Sequence, residues 1–307
     1  MEWMMRMNRS VARNAVLSKK AIPYVLLIPA TLLIVVFLFY PIGNVFYFSL
    51  LKYNSIKLNA PQFIGLDNFV RIFTQDRHFW GTLRLSGLWV AGQVSAQFVY
   101  GLAVALLLNR RFYGRGLARA LTFLPWSISG VLTSVLWTFI FNQNIGVLND
   151  ILIKLGVIDA KIAWTGNANY AFWSTMLADF WRASPFMVIT LLAGLQTIPE
   201  DIYEACDIDG ASKLQAFRYV TLPYLKNVIV LSTLLTCVWE FKNVDLIYNL
   251  TSGGPAFKTT TLSMYITSTA ISSSEFGYGS ALGVIAFVIL LIFAAVYLKI
   301  SRYGDEG

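Results

Sequence analysis

Residues 197–223 read TIPEDIYEACDIDGASKLQAFRYVTLP, a polar stretch that separates two long apolar runs. Pro199 suits the first turn of a helix, Gly210 suits a break, and Pro223 suits the start of the next helix. The stretch therefore predicts a helix, a turn at the glycine and a second short helix that leads into the following apolar run. Two capping-box patterns, a hydroxyl residue followed three positions later by a glutamate or glutamine, support these helix starts: Thr197 with Glu200, and Ser212 with Gln215.

The first of these helices has an acidic stripe, because acidic side chains recur in it at helical spacing. One interpretation is an amphipathic connector in the lipid headgroup layer, but an acidic face is poorly suited to an anionic leaflet. The pattern favours a helix that is presented to a soluble partner with basic groups. The acidic stripe consists of Glu200, Glu204 and Asp207, and an apolar set with the same spacing consists of Ile198, Ile202 and Ala205.

The rest of the chain is strongly apolar. Of its 307 residues, 57% are hydrophobic and 13% are charged, whereas soluble domains have about 45–50% and about 25%. This composition excludes a soluble cytosolic enzyme. Six runs are long enough to cross a membrane: Ile22–Leu51, Leu85–Leu108, Ala120–Phe141, Tyr170–Leu192, Val228–Leu250 and Ala281–Ile300.

Basic residues are distributed unevenly around these runs. If all six cross, 14 Lys and Arg residues fall on one side and 7 on the other, and the positive-inside rule makes the richer side cytoplasmic. Both termini are then predicted in the cytoplasm. The net charge of +8 has the same explanation, so a nucleic acid partner is not expected.

The polar stretch also resembles a known motif. Glu204-Ala205, four residues, Gly210, nine residues and then Val220-x-Leu222-Pro223 are similar to the EAA loop of bacterial binding-protein-dependent ABC importer permeases. The chain departs from the usual motif at Cys206, where the second alanine stands, and at Val220, where isoleucine stands. Both changes are small in volume.

Other segments resemble the carbohydrate-uptake branch of that family, and within it the first permease partner, such as the larger subunit of maltose transporters and the first permease of glycerol-3-phosphate transporters. These segments read FIGLDNF at 63–69, FLPWSIS at 123–129, LAGLQTIP at 192–199 and DLIYNLTSGGP at 245–255.

The resemblance implies an all-α membrane protein with the type I ABC importer permease fold, six transmembrane helices and both termini in the cytoplasm. It would lie in the bacterial inner membrane and import a carbohydrate by alternating access. The implied divisions are a basic cytoplasmic segment at 1–21, the first helix and an outer loop at 22–80, the transporter domain at 81–300 with the coupling loop at 197–223, and a tail at 301–307.

The partners implied by the resemblance are a second, homologous permease, a dimer of cytoplasmic ATPases, and an extracytoplasmic binding protein that delivers the sugar. The chain has no phosphate-binding loop of the Gly-x-x-x-x-Gly-Lys-Ser/Thr type, so it is expected to be no enzyme and to bind no cofactor or metal. ATP and Mg²⁺ would be used by the ATPase. The residues that would couple to the ATPase are Glu200, Glu204, Ala205, Asp207, Asp209, Gly210 and Pro223.

Ionisable residues inside the apolar runs are candidates for the substrate site, because charges at membrane depth are costly and usually face a cavity or each other. Arg182 lies in the fourth run, three residues before Pro185, a residue type that could break the helix there, and Glu240 lies in the fifth. A purely structural pair between Arg182 and Glu240 is the alternative. Matching to the maltose permease pattern implies six sugar-contacting residues: Arg182, Ala183, Phe186, Thr236, Glu240 and Asn243.

A second hypothesis is an ion- or proton-coupled secondary transporter, in which Glu240, Asp245 and Arg182 would relay protons. The EAA-like loop and the lack of inverted repeats in the sequence favour the ABC importer.

Overall fold

The computed structural model describes residues 23–56 and 60–301, and it is almost wholly helical. Within these residues, five helices are long and apolar enough to cross a membrane. They are α1 (Pro23–Ser49), α3 (Phe79–Asn109), α7 (Ala171–Leu195), α9 (Lys213–Phe241) and α12 (Phe276–Ser301).

Shorter helices fill the connections between them. They are α2 (Asp67–Thr74), α4 (Arg115–Phe123), α5 (Gly130–Ile140), α6 (Val147–Lys154), α8 (Glu200–Ile208), α10 (Asp245–Thr251) and α11 (Leu262–Thr267). A two-residue antiparallel ladder, β1 (Leu51–Lys52) with β2 (Gln62–Phe63), places Leu51 opposite Phe63.

The first, second, fourth and sixth apolar runs are each a single helix, as predicted, with shifted ends. Pro185 does not break the fourth run, because α7 continues through it. Pro185 is buried. A proline is tolerated inside a membrane helix where its surroundings compensate for the lost backbone hydrogen bond.

The third run is not the single helix that was predicted. A 3₁₀ turn at Leu124–Ser127 follows α4, and the chain then bends by 97° before α5. The bend arises because Ile128 and Ser129 have extended backbone conformations, and the Ser129 hydroxyl caps α5 by accepting the Leu132 N–H. With this bent pair counted as one crossing, the described residues contain six.

The fifth run is also divided, contrary to prediction. Helix α9 ends at Phe241, and α10 begins at Asp245. Residues 242–244 between them line a cavity. Non-helical backbone at membrane depth is tolerated where it lines a cavity and not where it faces lipid, which gives the break a physical reason.

The main core lies where α3, α7 and α9 meet. Their apolar side chains form one cluster that includes Ala105, Met187, Leu191 and Leu225, all fully buried. In contrast, the large apolar side chains of α1 are exposed, with Phe37 at 74%. Exposed apolar surface on a long helix is suited to lipid or to another membrane subunit.

Candidate functional site

All six residues predicted to contact substrate line one cavity of about 270 Å³. The cavity is bounded by α7, by the end of α9 and by the bend between α4 and α5. The predicted residues in its lining are Arg182, Ala183, Phe186, Thr236, Glu240 and Asn243, and they are joined there by Gln97, Trp126, Trp239, Lys242, Val244 and Asp245. The structure thus brings the predicted set together, and their contact with a substrate stays a prediction.

One side of the cavity is aromatic. The ring centroid of Phe186 lies 4.6 Å from that of Trp239, nearly edge to face, and 6.3 Å from that of Trp126. Such surfaces suit the apolar faces of sugar rings. Sequence reasoning missed both tryptophans as site residues, although Trp126 lies in the FLPWSIS segment and Trp239 directly precedes Glu240.

The other side of the cavity is polar. The Glu240 carboxylate is buried, and its two oxygens accept hydrogen bonds from Trp89 Nε1 at 3.0 Å and from Gln97 Nε2 at 2.8 Å. Both donors lie on α3, so Glu240 fastens the end of α9 to that helix. The Arg182 guanidinium donates to Asp179 Oδ1 at 2.9 Å, one turn away on α7.

These contacts test the alternative hypothesis that Arg182 and Glu240 form an ion pair with each other. The ion pair of Arg182 is made with Asp179, and Glu240 is held by uncharged donors. A mutual pair is therefore wrong, and each of the two predicted side chains has direct partners of its own. Asp179 is fully buried. No role for it was predicted from the sequence.

The predicted coupling loop is built from α8, a turn at Gly210 and the start of α9. Gly210 has φ +74°, the left-handed conformation that glycine adopts most readily. The predicted capping box at Ser212 is present, since its hydroxyl accepts the Gln215 N–H and the Gln215 side chain accepts the Ser212 N–H. Pro223 lies near the start of the straight part of α9, Leu222–Phe241.

The other predicted capping box is wrong. Pro199 occupies the position before α8, with no side-chain cap, and the Thr197 hydroxyl donates to the Gly194 carbonyl instead. The prolyl conformation, with φ −59° and ψ 141°, already directs the chain into the helix.

Helix α8 is anchored on one side and exposed on the other. Ile198, just before it, is buried in the α3–α7–α9 core, and the Tyr203 hydroxyl lies 3.0 Å from the Thr221 hydroxyl. The predicted acidic residues are all on the surface: Glu200, Glu204, Asp207 and Asp209. Ala205, predicted on the apolar face, is exposed as well.

The α8 surface also touches another connection. The Glu200 carboxylate accepts from Arg111 at 2.6 Å, which joins α8 to the segment between α3 and α4. Both side chains are more than three quarters exposed. A surface ion pair of this kind contributes little to stability, so its main effect is to occupy one end of the acidic stripe.

Comparison with known proteins identifies the family. Residues 97–302 match the family described as binding-protein-dependent transport system inner membrane component. The chain is 36% identical to the trehalose/maltose transport system permease protein of Thermococcus litoralis, over 92% of this chain and 94% of the relative. It is 35% identical to the sulfoquinovosyl glycerol transport system permease protein of Agrobacterium fabrum, over 94% and 93%.

A solved structure has the same fold. A chain of the bacterial alginate ABC transporter, in complex with an alginate pentasaccharide-bound periplasmic protein, matches with a TM-score of 0.82 at 21% identity, over 94% of this chain and 96% of that one. The relatives are permease proteins, which agrees with the expectation of a transport subunit without enzymatic activity of its own. The chain belongs to the family of inner-membrane components of binding-protein-dependent transport systems.

Proposed function

We propose that this chain is one permease subunit of an ATP-driven importer that takes up a carbohydrate delivered by an extracytoplasmic binding protein. The observation that carries the proposal is the cavity, in which an aromatic wall of Trp126, Phe186 and Trp239 faces the polar groups of Arg182, Glu240 and Asn243. A sugar presents apolar ring faces and hydroxyls, and this lining offers partners for both.

The relatives support the substrate class. One of them is named for trehalose and maltose and another for sulfoquinovosyl glycerol, and the matching fold comes from an alginate importer. The proton- or ion-coupled hypothesis loses its support, because the chain matches ABC transporter permease proteins along nearly its whole length.

A second permease subunit would close the cavity. Lys242 and Asp245 line it and are exposed at the surface of the single chain, next to the half-exposed Trp239. Charged side chains at membrane depth do not face lipid. A homologous subunit that packs against this surface would cover both charges and the aromatic wall together, in the inner membrane of a bacterial cell.

The acidic surface of α8 would meet a dimer of cytoplasmic ATPases. Glu204 and Asp207 are exposed there, while Ile198 and Tyr203 connect the same segment to the core where α3, α7 and α9 pack. A push on α8 would therefore reach the helices that form the cavity. ATP and Mg²⁺ would act in the ATPase, and this chain would convert the movement into alternating access.

Two substitutions in the complete transporter, reconstituted in proteoliposomes, test the ATPase coupling and the substrate site separately. The sugar used is the one that the binding protein retains in a glycan screen. Glu204→Lys should release the ATPase or abolish sugar-stimulated hydrolysis, because a charge-assisted contact worth about 1.5–3 kcal/mol becomes a repulsion. Asn243→Ala should keep ATPase binding and basal hydrolysis but raise the half-saturating sugar concentration several-fold, since one or two hydrogen bonds are lost.

Asp159→Lys and Asn167→Ala are the matched controls, since both residues are exposed and lie outside the cavity and α8. They should behave as wild type. Wild-type uptake by Glu204→Lys with the ATPase still bound would contradict the coupling role. An unchanged sugar dependence in Asn243→Ala would contradict the substrate site.

A further inference from the structure

Two acidic side chains adjoin each other behind the polar wall of the cavity. Asp179 on α7 is fully buried, and Glu240 on α9 is 4% exposed. Their carboxyl groups lie within hydrogen-bonding reach of each other. A carboxylate has only acceptor oxygens, so two ionised carboxylates in this position would repel each other and could form no hydrogen bond.

The donors around the pair leave one oxygen unmatched. Glu240 receives one hydrogen bond on each oxygen, from Trp89 and Gln97, and Asp179 Oδ1 receives one from Arg182. Asp179 Oδ2 is buried and receives no donor from the described residues. An acid proton carried by Glu240 would be the missing donor, because a protonated carboxyl donates one hydrogen bond while still accepting others.

The surrounding charges also indicate that one of the two carboxyl groups is protonated. Helix α3 faces the pair with the uncharged Trp89, Gln93 and Gln97, and α9 contributes Cys237 one turn from Glu240. Arg182 is the cation that contacts the pair, while Lys242 and Asp245 lie at the cavity rim. One guanidinium against two ionised carboxylates would leave an uncompensated negative charge in the protein interior, which costs several kcal/mol or more.

We propose that Asp179 and Glu240 share one proton, and that Asp179 is the positioning residue that holds Arg182 at the cavity wall. Arg182 is then compensated by Asp179, and the charges of Lys242 and Asp245 at the rim have opposite signs. The cavity would carry no net charge and would suit an uncharged sugar. This consequence rests on the function proposed above, whereas the shared proton does not.

Infrared spectroscopy of the assembled transporter in lipid nanodiscs tests the shared proton directly. The wild type should show the C=O band of a protonated carboxyl at neutral pH. Glu240→Gln should remove that band, because it leaves only Asp179, which stays ionised beside Arg182. Asp179→Asn should shift or remove the same band, because it takes away the group with which the proton is shared. Asp150→Asn, at an exposed residue of α6, should leave the band unchanged.

A wild type without the band, or a band that survives both substitutions, would overturn the proposal. A band that stays unchanged in either of the two variants would show that the proton does not depend on both residues and would overturn the sharing. The band does not depend on which sugar is transported, so absence of sugar uptake by a wild type that shows the band would contradict the proposed function and leave the shared proton standing.

The positioning role has its own readout. Asp179→Asn should leave Arg182 without its counter-ion and reduce the yield of assembled transporter, and the double variant Asp179→Asn/Arg182→Gln should restore that yield. Glu240→Gln should assemble close to the wild-type level because it keeps the charge balance. If the double variant assembles no better than Asp179→Asn alone, Asp179 does not act through Arg182. Should Asp179→Asn fail to fold, the Glu240→Gln spectrum still decides whether the proton is present.

Discussion

At the scale of single residues, a second polar cluster is centred on Asp76, which itself lies outside the spanning segments. Before α3, the Asp76 Oδ2 accepts from the hydroxyls of Tyr278 at 2.6 Å and Tyr265 at 2.8 Å, and its Oδ1 accepts from the N–H groups of His78 and Phe79. Partial burial by itself raises the pKa of Asp76, but the four hydrogen bonds outweigh it and hold that pKa below its usual range. The ionised carboxylate thus ties α3, α11 and α12 together.

Replacing Asp76 with asparagine should lower the melting temperature, by the equivalent of about 1–2 kcal/mol after allowance for partial exposure. A depressed folded-state pKa stabilises at pH values above the unfolded pKa, about 3.9, and this stabilisation is lost as the pH falls through the folded value. The difference between wild type and variant should therefore stay constant from pH 8 to about pH 5 and shrink below about pH 4. Thermal melts of the detergent-solubilised chain measure it, with Asp159→Asn as the exposed control, and a difference that grows on acidification would refute the assignment.

The site could be predicted in part from single residues. Arg182 and Glu240 were recognisable as costly intramembrane charges, and the resemblance supplied the other members of the predicted set. Their actual partners were not predictable, because Trp89 and Gln97 lie more than a hundred residues from Glu240 in the chain. Uncharged partners carry no signal in a hydropathy or charge pattern, so the sequence left open a direct ion pair between Arg182 and Glu240 as the alternative, and that alternative is wrong.

At the scale of elements, hydropathy located the spanning segments but not their interruptions. The bend at Ile128–Ser129 and the break at 242–244 both lie within runs that are apolar enough to read as continuous helices. Both interruptions border the cavity, where Trp126 and Asn243 line it. The backbone departs from the helix where a cavity permits unpaired polar groups, and this is a property of the tertiary structure that local sequence does not encode.

The contact between α3 and α7 depends on a close approach at Gly101. A Cβ atom built on Gly101 would lie 2.6 Å from Met187 Cγ and 3.2 Å from its backbone carbonyl carbon, whereas a Cβ on Gly87 of the same helix would meet nothing within 4 Å. Gly101→Val should therefore lower stability by about 1–3 kcal/mol through overpacking. Gly87→Val makes the same change in helix propensity but should not lower stability through overpacking. Equal melting temperatures for the two variants would contradict the close contact at Gly101.

At the scale of the whole molecule, the sidedness of the chain depends on the bent pair of α4 and α5. At about 1.5 Å per residue, neither half reaches across a hydrocarbon core of about 30 Å by itself. If the pair crosses together, there are six spans and both termini share a side. If it returns to the side it came from, there are five, and α8 would lie opposite to the position that an ATPase partner requires.

Cysteine labelling with an impermeant reagent distinguishes the two arrangements, in a background where Cys206 and Cys237 are replaced by serine and alanine. Tyr113 and Asn167 are both exposed and lie on either side of the bent pair. We expect a cysteine at Tyr113 to react only from the cytoplasmic side, where both arrangements place it, and cysteines at Asn167 and Ser273 to react only from the outside. If Tyr113 and Asn167 react from the same side, α4 and α5 form a re-entrant loop. The acidic surface of α8 would then face away from the cytoplasm, so a coupling role for Glu204 would be excluded along with the six-span fold.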